Sequence, residues 1–403
     1  MNMNELNYLN LRVCGIDPHK RFFKAVIVDM NTLNTLYEAN FPNSKSGVAA
    51  LEMKLKEYRC SLVVIENSNN FSAAMYYYLK KRAFDVKSVN PANVPRKQKK
   101  SDRVDAKWIA IVYAKGLVNE DYIPPEEIQY LRDLTRARQK LVSIRSALKN
   151  KVHALLTRGE LHLSKLYSDI FGKKGREVIQ AIISSDSNIN EIDERVGKII
   201  DDAFLELINR KLIDTFMELI ERLDEEIREL EASIAAYIDK HASIREMVKR
   251  IMTVPGISLV TAAIIVAEVG DFNRFPDKKS ISGWAGIVPR TSESAGIQRG
   301  YGITKKGSPY LRHALHEIAN VIILRREPKM LYAFYWRVRS RSGKHKAVTA
   351  LAHKVLTVLW GMITTGSDFD MDHEAKRLYE RKLKRFNSMA ETGRRVLTER
   401  HKK

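Results

Sequence analysis

Four acidic residues within the first 105 positions stand where carboxylates could hold a metal ion. Asp17 ends an apolar run and precedes a turn at Pro18-His19-Lys20, and Glu66 ends a second apolar run. Asp102 and Asp105 are three positions apart, so they share one face of any helix that contains both. The order of these carboxylates predicts a site at the ends of two strands and the beginning of a helix.

Hard divalent cations such as Mg²⁺ prefer carboxylate oxygens. Two such ions, about 4 Å apart, can clamp the attacking and leaving oxygens of a phosphodiester. Because clustered carboxylates repel one another without a cation, the set predicts a site for Mg²⁺, with Mn²⁺ as the alternative metal. Taken singly, each residue also fits a structural role: Asp17 as a turn former, Glu66 as a surface group, Asp102 as a helix N-terminal charge and Asp105 as a solvated ion-pair partner.

The charge balance predicts a polyanionic partner. Lys and Arg number 69 against 48 Asp and Glu, a net charge of +21. Nucleic acid is the first candidate, and an anionic membrane surface is the second. The predicted backbone-contacting cations near the acidic set are Lys20, Arg96, Lys97, Lys99, Lys100 and Arg103.

Neither the cysteine count nor the apolar segments favour a secreted or membrane protein. Cys14 and Cys60 form no disulfide framework, which fits a reducing, cytoplasmic compartment. With nucleic acid as the expected partner, the chain is expected to be associated with the nucleoid. The most apolar C-terminal stretch, Val355 to Ile363, is shorter than the roughly 20 residues that a membrane span needs. We therefore expect no membrane partner.

The hydrophobic patterns predict the elements that position these residues. Strands are expected at 12–17, 22–28, 62–65 and 86–89, with helices at 48–58, at 73–82 and from about Ser101. This mixture predicts an α/β first domain. The remainder is predicted as mostly helical, with helices at 126–160, 214–237, 308–325 and 345–362, a helix–turn–helix at 250–271 and a glycine-rich loop with short strands at 283–307.

Apolar residues of the 214–237 helix recur at spacings of three and four, which is typical of a coiled coil or a helix bundle. Core packing and an oligomerisation arm both remain open as interpretations. The predicted domains are 1–122 (α/β nuclease), 123–245 (helical coiled coil), 246–370 (mostly helical, with the turn and the glycine-rich loop) and 371–403 (basic tail).

The motifs carry a family resemblance. Gly15-Ile16-Asp17-Pro18-His19-Lys20, Val64-Ile65-Glu66, Asn90-Pro91 and Ser101-Asp102-Arg103-Val104-Asp105-Ala106 resemble, in order, the N-terminal domain of the DEDD insertion-sequence transposases, the "one-ten" family. The second half is similar to that family's second domain, and its motifs are Val254-Pro255-Gly256-Ile257, Arg274-Phe275-Pro276, Trp284-Ala285-Gly286-Ile287-Val288-Pro289 and the stretch 302–312.

This resemblance implies a transposase that cuts and rejoins DNA. It implies an RNase-H-like, RuvC-like first domain whose Asp17, Glu66, Asp102 and Asp105 bind Mg²⁺ at the DNA backbone. It also implies a second-domain serine that forms a covalent link to DNA, and a structured noncoding bridge RNA that pairs with donor and target DNA.

On this resemblance the serine is Ser294. Ser292 is a rival, because Ala295 stands before Gly296 where the family often has Ser-Gly. Cations expected to hold phosphate near it are Arg299, Lys305, Lys306 and Arg312. A dimer or tetramer is expected, in which the serine of one subunit could serve another.

Two alternatives stay open at this point. A RuvC-like, structure-selective endonuclease would use the metal site without a covalent intermediate, and a non-enzymatic nucleic-acid-binding protein would use neither. The Val254–Ile257 turn resembles a helix-hairpin-helix, which binds phosphate, and is equally typical of a plain helical hairpin. Trp284 and Tyr310 could stack on bases, although core packing is favoured for Trp284, and His19, His313 and His316 are expected to be structural.

Overall fold

A computed structural model describes residues 12–67, 70–95, 105–184, 194–201, 203–290, 292–294, 297–299 and 302–370. Its residues form two compact units, Met1–Glu126 and Glu127–Lys403. The predicted division of the second unit at residue 245 stays a prediction.

The first unit contains a five-stranded mixed sheet in the order β3-β2-β1-β4-β5. Its strands are β1 (Arg12–Pro18), β2 (Phe22–Asp29), β3 (Thr35–Pro42), β4 (Leu62–Glu66) and β5 (Asp85–Val89). β1 to β3 pair antiparallel, whereas β1, β4 and β5 are parallel. The prediction of an α/β first domain is confirmed, as are the four predicted strands; β3 is an additional edge strand.

Helices cover both faces of this sheet. α1 (Lys45–Glu57) and α2 (Asn70–Lys80) belong to one core, and α3 (Ala106–Ala114) belongs to the other. The side chains of β1 alternate between the cores, with Cys14 and Ile16 in one and Val13 in the other. Because both faces are covered, β1 and β4 carry the near-continuous apolar runs that made them recognisable.

The second unit is mostly helical, as predicted. Its helices are α4 (Glu126–Arg158), α5 (Lys173–Ser184), α6 (Glu194–Asp201), α7 (Arg210–Lys240), α8 (Ala242–Met252), α9 (Leu259–Val269), α10 (Lys278–Trp284), α11 (Pro309–Arg325), α12 (Lys329–Ser342) and α13 (Lys344–Thr365). Two short strands, β6 (Ser292–Ser294) and β7 (Ile297–Arg299), lie in the glycine-rich stretch. α5, α6, α10 and α12 were not predicted.

The two long helices α4 and α7 are antiparallel and are joined by ion pairs. Arg138 lies 2.6 Å from Glu231, and Arg145 lies 2.5 Å from Asp224. From the first pair to the second, the residue number rises by seven along α4 and falls by seven along α7. A spacing of seven residues is the heptad repeat of a coiled coil. The coiled-coil interpretation fits this register and stays a prediction.

The apolar stripe of α7 packs inside the unit. Ile220, Ile227, Ile234 and Ile238 are at most 4% exposed, whereas Leu219 is 42% exposed. Core packing is thus confirmed for the isoleucine row, and an oligomerisation role for this helix stays a prediction.

α13 is longer than the apolar stretch identified from the sequence. At 22 residues, it is long and apolar enough to cross a membrane by length and composition. Its Leu351, Val355 and Leu359 are nevertheless buried in the same core as α11 and α12. The helix is therefore a core element of the second unit.

Candidate carboxylate site and serine hairpin

The ends of two parallel strands bring Asp17 and Glu66 together. Ile16 of β1 is in register with Ile65 of β4, so the next residue on each strand is one of the two carboxylates. Both side chains are partly exposed at this edge, while the residues before them are fully buried. The predicted juxtaposition of these two acids is what the sheet topology produces.

Asp105 stands at the beginning of α3 rather than within a helix. Its backbone is extended, and its Oδ1 accepts the Trp108 N–H at 2.6 Å, which makes it the N-cap. The predicted helix start near Ser101 is therefore wrong, as is the idea that Asp102 and Asp105 share one helical face. Asp102 lies outside the described residues.

A glycine allows α3 to approach β1. A Cβ on Gly15 would lie 1.8 Å from the carbonyl oxygen of Ala106. Asp105 directly precedes Ala106, and Gly15 is two residues before Asp17 on β1. The contact between Gly15 and Ala106 therefore holds the N-terminal end of α3, with Asp105, against the part of β1 that leads to Asp17. The electrostatic surroundings of Lys24 agree: its ammonium pairs with Glu38 at 2.6 Å, and the carboxylates of Asp105 and Asp17 also act on it.

The electrostatics at the strand ends favour a cation. Burial, and secondly the carboxylate of Asp17, raises the pKa of Glu66 to about 7. A positive ion between the two acids would relieve this repulsion. The oxygen donors fit a hard divalent cation. Among the described residues, no three His, Cys, Asp or Glu side chains are arranged to hold a metal, and Asp102 is not among those residues.

Two neighbours of these acids were not identified as site residues from the sequence. His19 Nε2 lies 3.3 Å from Asp17 Oδ2, and the His19 ring packs against Phe22. Asn67, directly after Glu66, donates its amide to Asp121, which fixes the chain where β4 ends. The sequence could have indicated His19, because it lies in the predicted turn directly after Asp17. It could not have indicated the Asn67–Asp121 pair, because these residues are 54 positions apart.

The predicted cations divide into three groups. Lys20 is exposed in the turn after β1, and Lys305 and Lys306 are exposed after the hairpin. Arg312 donates to the carbonyl oxygens of Gly307 and Ala285. The others lie outside the described residues or, for Arg299, have an undescribed side chain: Arg96, Lys97, Lys99, Lys100, Arg103 and Arg299.

The glycine-rich stretch of the second unit forms a hairpin with Ser294 next to its tip. Ser292 pairs with Arg299 and Ser294 with Ile297, so only two residues lie between the last paired positions. Nearer the base, Pro289 pairs with Ile303. The backbone thus places Ser294 as the last paired residue of β6.

Close backbone packing fixes the base of the hairpin. Gly286 has φ +67°, and a Cβ there would lie 2.5 Å from the Lys306 nitrogen. A Cβ on Gly307 would lie 2.2 Å from the Trp284 carbonyl oxygen. Glycine is therefore required on both sides of this contact, and Arg312 bonds to the same backbone.

The aromatic and histidine candidates of the second unit contact other side chains of that unit. Trp284 packs against Phe275 at 5.2 Å and under Arg274 at 4.5 Å, as the core interpretation predicted. The Arg136 guanidinium lies 4.9 Å from the Tyr310 ring centre. His313 Nε2 is 3.3 Å from Glu317 Oε1.

The Val254–Ile257 turn connects α8 and α9, as predicted. Gly256 has φ +90°, and a Cβ there would meet Val321 of α11 at 2.8 Å. Val254 and Ile257 are buried in the core of the unit. These contacts explain the glycine by packing, and phosphate binding at the turn stays a prediction.

Two family models match the chain. The model of a DEDD transposase family, described as "Transposase", matches residues 14–159. The model described as "Transposase IS116/IS110/IS902 family" matches residues 248–335. Together they cover more than half of the sequence, and they correspond to the sheet-containing region with the first long helix and to the region of the serine hairpin.

Curated relatives agree with the family models. The chain is 27% identical over 270 residues to the transposase for insertion sequence element IS1111A of Coxiella burnetii, covering 66% of this chain and 68% of the relative. It is 27% identical over 301 residues to the transposase for IS1328 of Yersinia enterocolitica, covering 73% and 81%. An IS116 protein of Streptomyces clavuligerus is 24% identical over 383 residues, covering 87% and 94%.

Proposed function

Because this chain belongs to the IS110 family of insertion-sequence DEDD transposases, which act on DNA, we propose that it joins DNA strands through a covalent serine intermediate. In this proposal Asp17, Glu66, Asp102 and Asp105 hold Mg²⁺, and Ser294 is the nucleophile. The observation that carries it is the meeting of Asp17 and Glu66 at adjacent strand ends in a chain that also matches the second transposase model.

In the proposed step, the hydroxyl oxygen of Ser294 attacks the phosphorus of a backbone phosphodiester. A serine–phosphorus bond forms, the bond from phosphorus to one sugar oxygen breaks, and that oxygen leaves as a hydroxyl with the proton that the serine loses. The hydroxyl of a second strand then reverses the exchange. The divalent cations, when bound, would stabilise charge on the phosphate and activate the oxygen nucleophile.

The chain's own residues would contribute position and protons. The cap of α3 and the end of β4 hold Asp105 and Glu66 at one edge of the sheet. His19 beside Asp17 is within hydrogen-bond reach to exchange a proton with that carboxylate. Lys305 and Lys306, exposed after the hairpin, would hold the phosphate near the serine.

Guidance by a structured RNA and a dimer or tetramer complete the proposal, and both rest on the family resemblance. In such an oligomer, the serine of one subunit could act beside the carboxylates of another. Base pairing would then choose the DNA sites, while the protein would contact backbone and shape.

The test is an adduct assay with Mg²⁺, the RNA encoded beside the reading frame and DNA from the insertion junctions. Denaturing gels should show a protein–DNA adduct for the wild type and for Ser292→Ala, and none for Ser294→Ala. An adduct that survives in Ser294→Ala rejects this nucleophile. Metal-dependent cleavage without any adduct would instead support the RuvC-like endonuclease.

A further inference from the structure

A segment of the second unit that carries no proposed catalytic residue is strongly basic. Residues 328–367 contain seven Lys or Arg and no Asp or Glu. Helices α12 and α13 hold this segment, and the charges collect where the two helices join. We name this surface the α12–α13 corner; it consists of Trp336, Arg337, Arg339, Arg341, Lys344 and Lys346.

The cations of the corner are exposed to solvent. Within the described part of the chain, none of the five has a carboxylate within 4.0 Å. Arg337 and Arg341 lie one helical turn apart, where like charges repel. Such an arrangement disfavours the folded chain slightly, and a polyanion would reverse that effect.

An aromatic ring lies among these charges. Trp336 is 44% exposed, so a large part of its indole is open to solvent. The Arg339 guanidinium lies 4.4 Å from its ring centre, and Tyr332 and Tyr335 meet the ring nearly edge-on at 6.2 and 5.7 Å. These three contacts fix the orientation of the indole and leave part of its surface to solvent.

We propose that the α12–α13 corner binds an unpaired strand of DNA, with its cations on successive phosphates and Trp336 stacked on a base. A fixed, exposed ring within a basic surface is the arrangement that binds single strands, because an unpaired base offers a free face for stacking. A duplex would use the cations only, since its bases are stacked on one another. DNA is favoured over RNA because the family acts on DNA.

The surface does not suit a lipid bilayer. Leu351 and Val355 of α13 are buried in the protein core, and no large apolar side chain of this helix is fully exposed, so the helix offers no open apolar face for insertion. A membrane-binding helix needs an apolar face beside its cations. Only Trp336 supplies exposed apolar surface at this corner.

This inference goes beyond the proposed function and can be tested apart from it. The second family model ends at Tyr335, one residue before the ring. Binding needs neither Mg²⁺ nor Ser294, so it is measured on the full-length Ser294→Ala variant without metal. A failure of the serine chemistry would leave this measurement unaffected.

The experiment compares fluorescence anisotropy of a single-stranded DNA oligonucleotide, its duplex, the RNA of the same sequence and anionic phosphatidylserine vesicles. Trp336→Ala should weaken single-stranded DNA binding about tenfold, the loss expected for one stacked base, and Trp336→Phe should restore most of it. A second variant carries Gln in place of Arg337, Arg341, Lys344 and Lys346. It should reduce the slope of log binding constant against log salt concentration by about 0.7 for each phosphate contact that is lost.

Matched controls separate this site from general charge and aromatic content. Phe204→Ala removes another exposed aromatic ring, and Gln at Lys151, Lys211, Lys240 and Lys249 removes four other exposed cations. Neither control should change single-stranded DNA binding by more than about twofold. Circular dichroism and urea unfolding check that each variant is folded.

Several results would overturn the proposal. Unchanged single-strand binding by a folded Trp336→Ala variant rejects the stacking role. If the variants lose affinity for single-stranded and duplex DNA equally, the corner is a duplex-binding surface that contacts phosphates only. Loss for the RNA or the vesicles but not for the DNA assigns the corner to that partner instead.

Discussion

The pKa of Glu66 makes metal binding steeply dependent on pH. Burial first, and the Asp17 carboxylate second, raises this pKa from 4.5 to about 7. Since a metal ion binds the deprotonated carboxylate, protons compete with it throughout the neutral range. At pH 5.5 only about 3% of Glu66 would be ionised without metal, against about 97% at pH 8.5.

The expected consequence is a roughly 30-fold weaker Mn²⁺ affinity at pH 5.5 than at pH 8.5. An ordinary glutamate with a pKa of 4.5 would be about 90% ionised at pH 5.5, so proton competition would hardly weaken Mn²⁺ binding there. Titration calorimetry of the full chain at constant ionic strength measures the difference. Glu66→Gln should bind Mn²⁺ more weakly at pH 8.5 and lose most of the pH dependence. Wild-type affinities within twofold of each other at the two pH values would refute the reasoning.

The same shift predicts how stability depends on pH without metal. An acid whose pKa is higher in the folded than in the unfolded state binds more protons when folded between pH 4.5 and 7. The free energy of unfolding contributed by Glu66 is therefore present below pH 4.5 and lost as pH rises through 7. The difference between wild type and Glu66→Gln in urea unfolding isolates this contribution from that of other groups, and Mg²⁺ should restore stability at high pH.

Three further predictions concern the framework. Gly15→Ala should destabilise the first unit by about 3 kcal/mol, because its Cβ would overlap the Ala106 carbonyl; unchanged urea unfolding would contradict the contact. Arg136→Leu should lower the free energy of unfolding by about 3 kcal/mol, because it leaves the Glu268 carboxylate buried, at 2% exposure, without the guanidinium that now bonds it at 2.7 and 2.8 Å. Replacing both residues by Leu should recover most of this stability. A double variant that is no more stable than Arg136→Leu would argue against this cause. Asp105→Asn should keep the cap of α3 but abolish metal-dependent cleavage, whereas Asp105→Ala should also cost about 1 kcal/mol of stability; cleavage by the Asn variant would remove Asp105 from the metal set.

Much of the first unit could be predicted because its strands are buried on both faces. β1 and β4 appear in the sequence as apolar runs that end on Asp17 and Glu66, and parallel pairing then brings those ends together. β3 was missed because it is an edge strand with few buried residues, so polar side chains such as Glu38 interrupt its pattern. The pattern of apolar residues reports burial, and it fails where burial is partial.

The start of α3 was misjudged for a different reason. A spacing of three between two acids is compatible with one helical face, but it is equally compatible with a cap that precedes the helix. Asp is among the best N-cap residues, and Asp105 bonds its own helix at Trp108 N. Local spacing therefore assigned Asp105 the wrong backbone conformation, and its role as a metal ligand stays a prediction.

Contacts between distant segments lay beyond sequence reasoning altogether. Arg136 and Glu268 are 132 residues apart, and nothing in either neighbourhood indicates that a carboxylate of α9 is buried against α4. The ion pairs of α4 with α7 obey a regular register, but that register becomes visible only once the pairing of the helices is known. Such long-range pairs depend on the tertiary packing and not on local preference.

The hairpin register bears directly on which serine can be the nucleophile. Residues two apart on a strand are separated by about 6.6 Å along it, so Ser292 and Ser294 cannot both take one attacking position without a shift in pairing. Ser294 pairs with Ile297 as the last paired residue of β6, and the glycine contact at the base opposes any slip of the strands. If Ser294 is the nucleophile, moving the serine by the double change Ser294→Ala with Ala295→Ser should not restore adducts, because the attacking oxygen would then be carried one residue further along the chain, beyond the last paired position of β6. Restored adducts would mean that the tip adapts to the phosphate, and the position of the serine in the hairpin would no longer identify it.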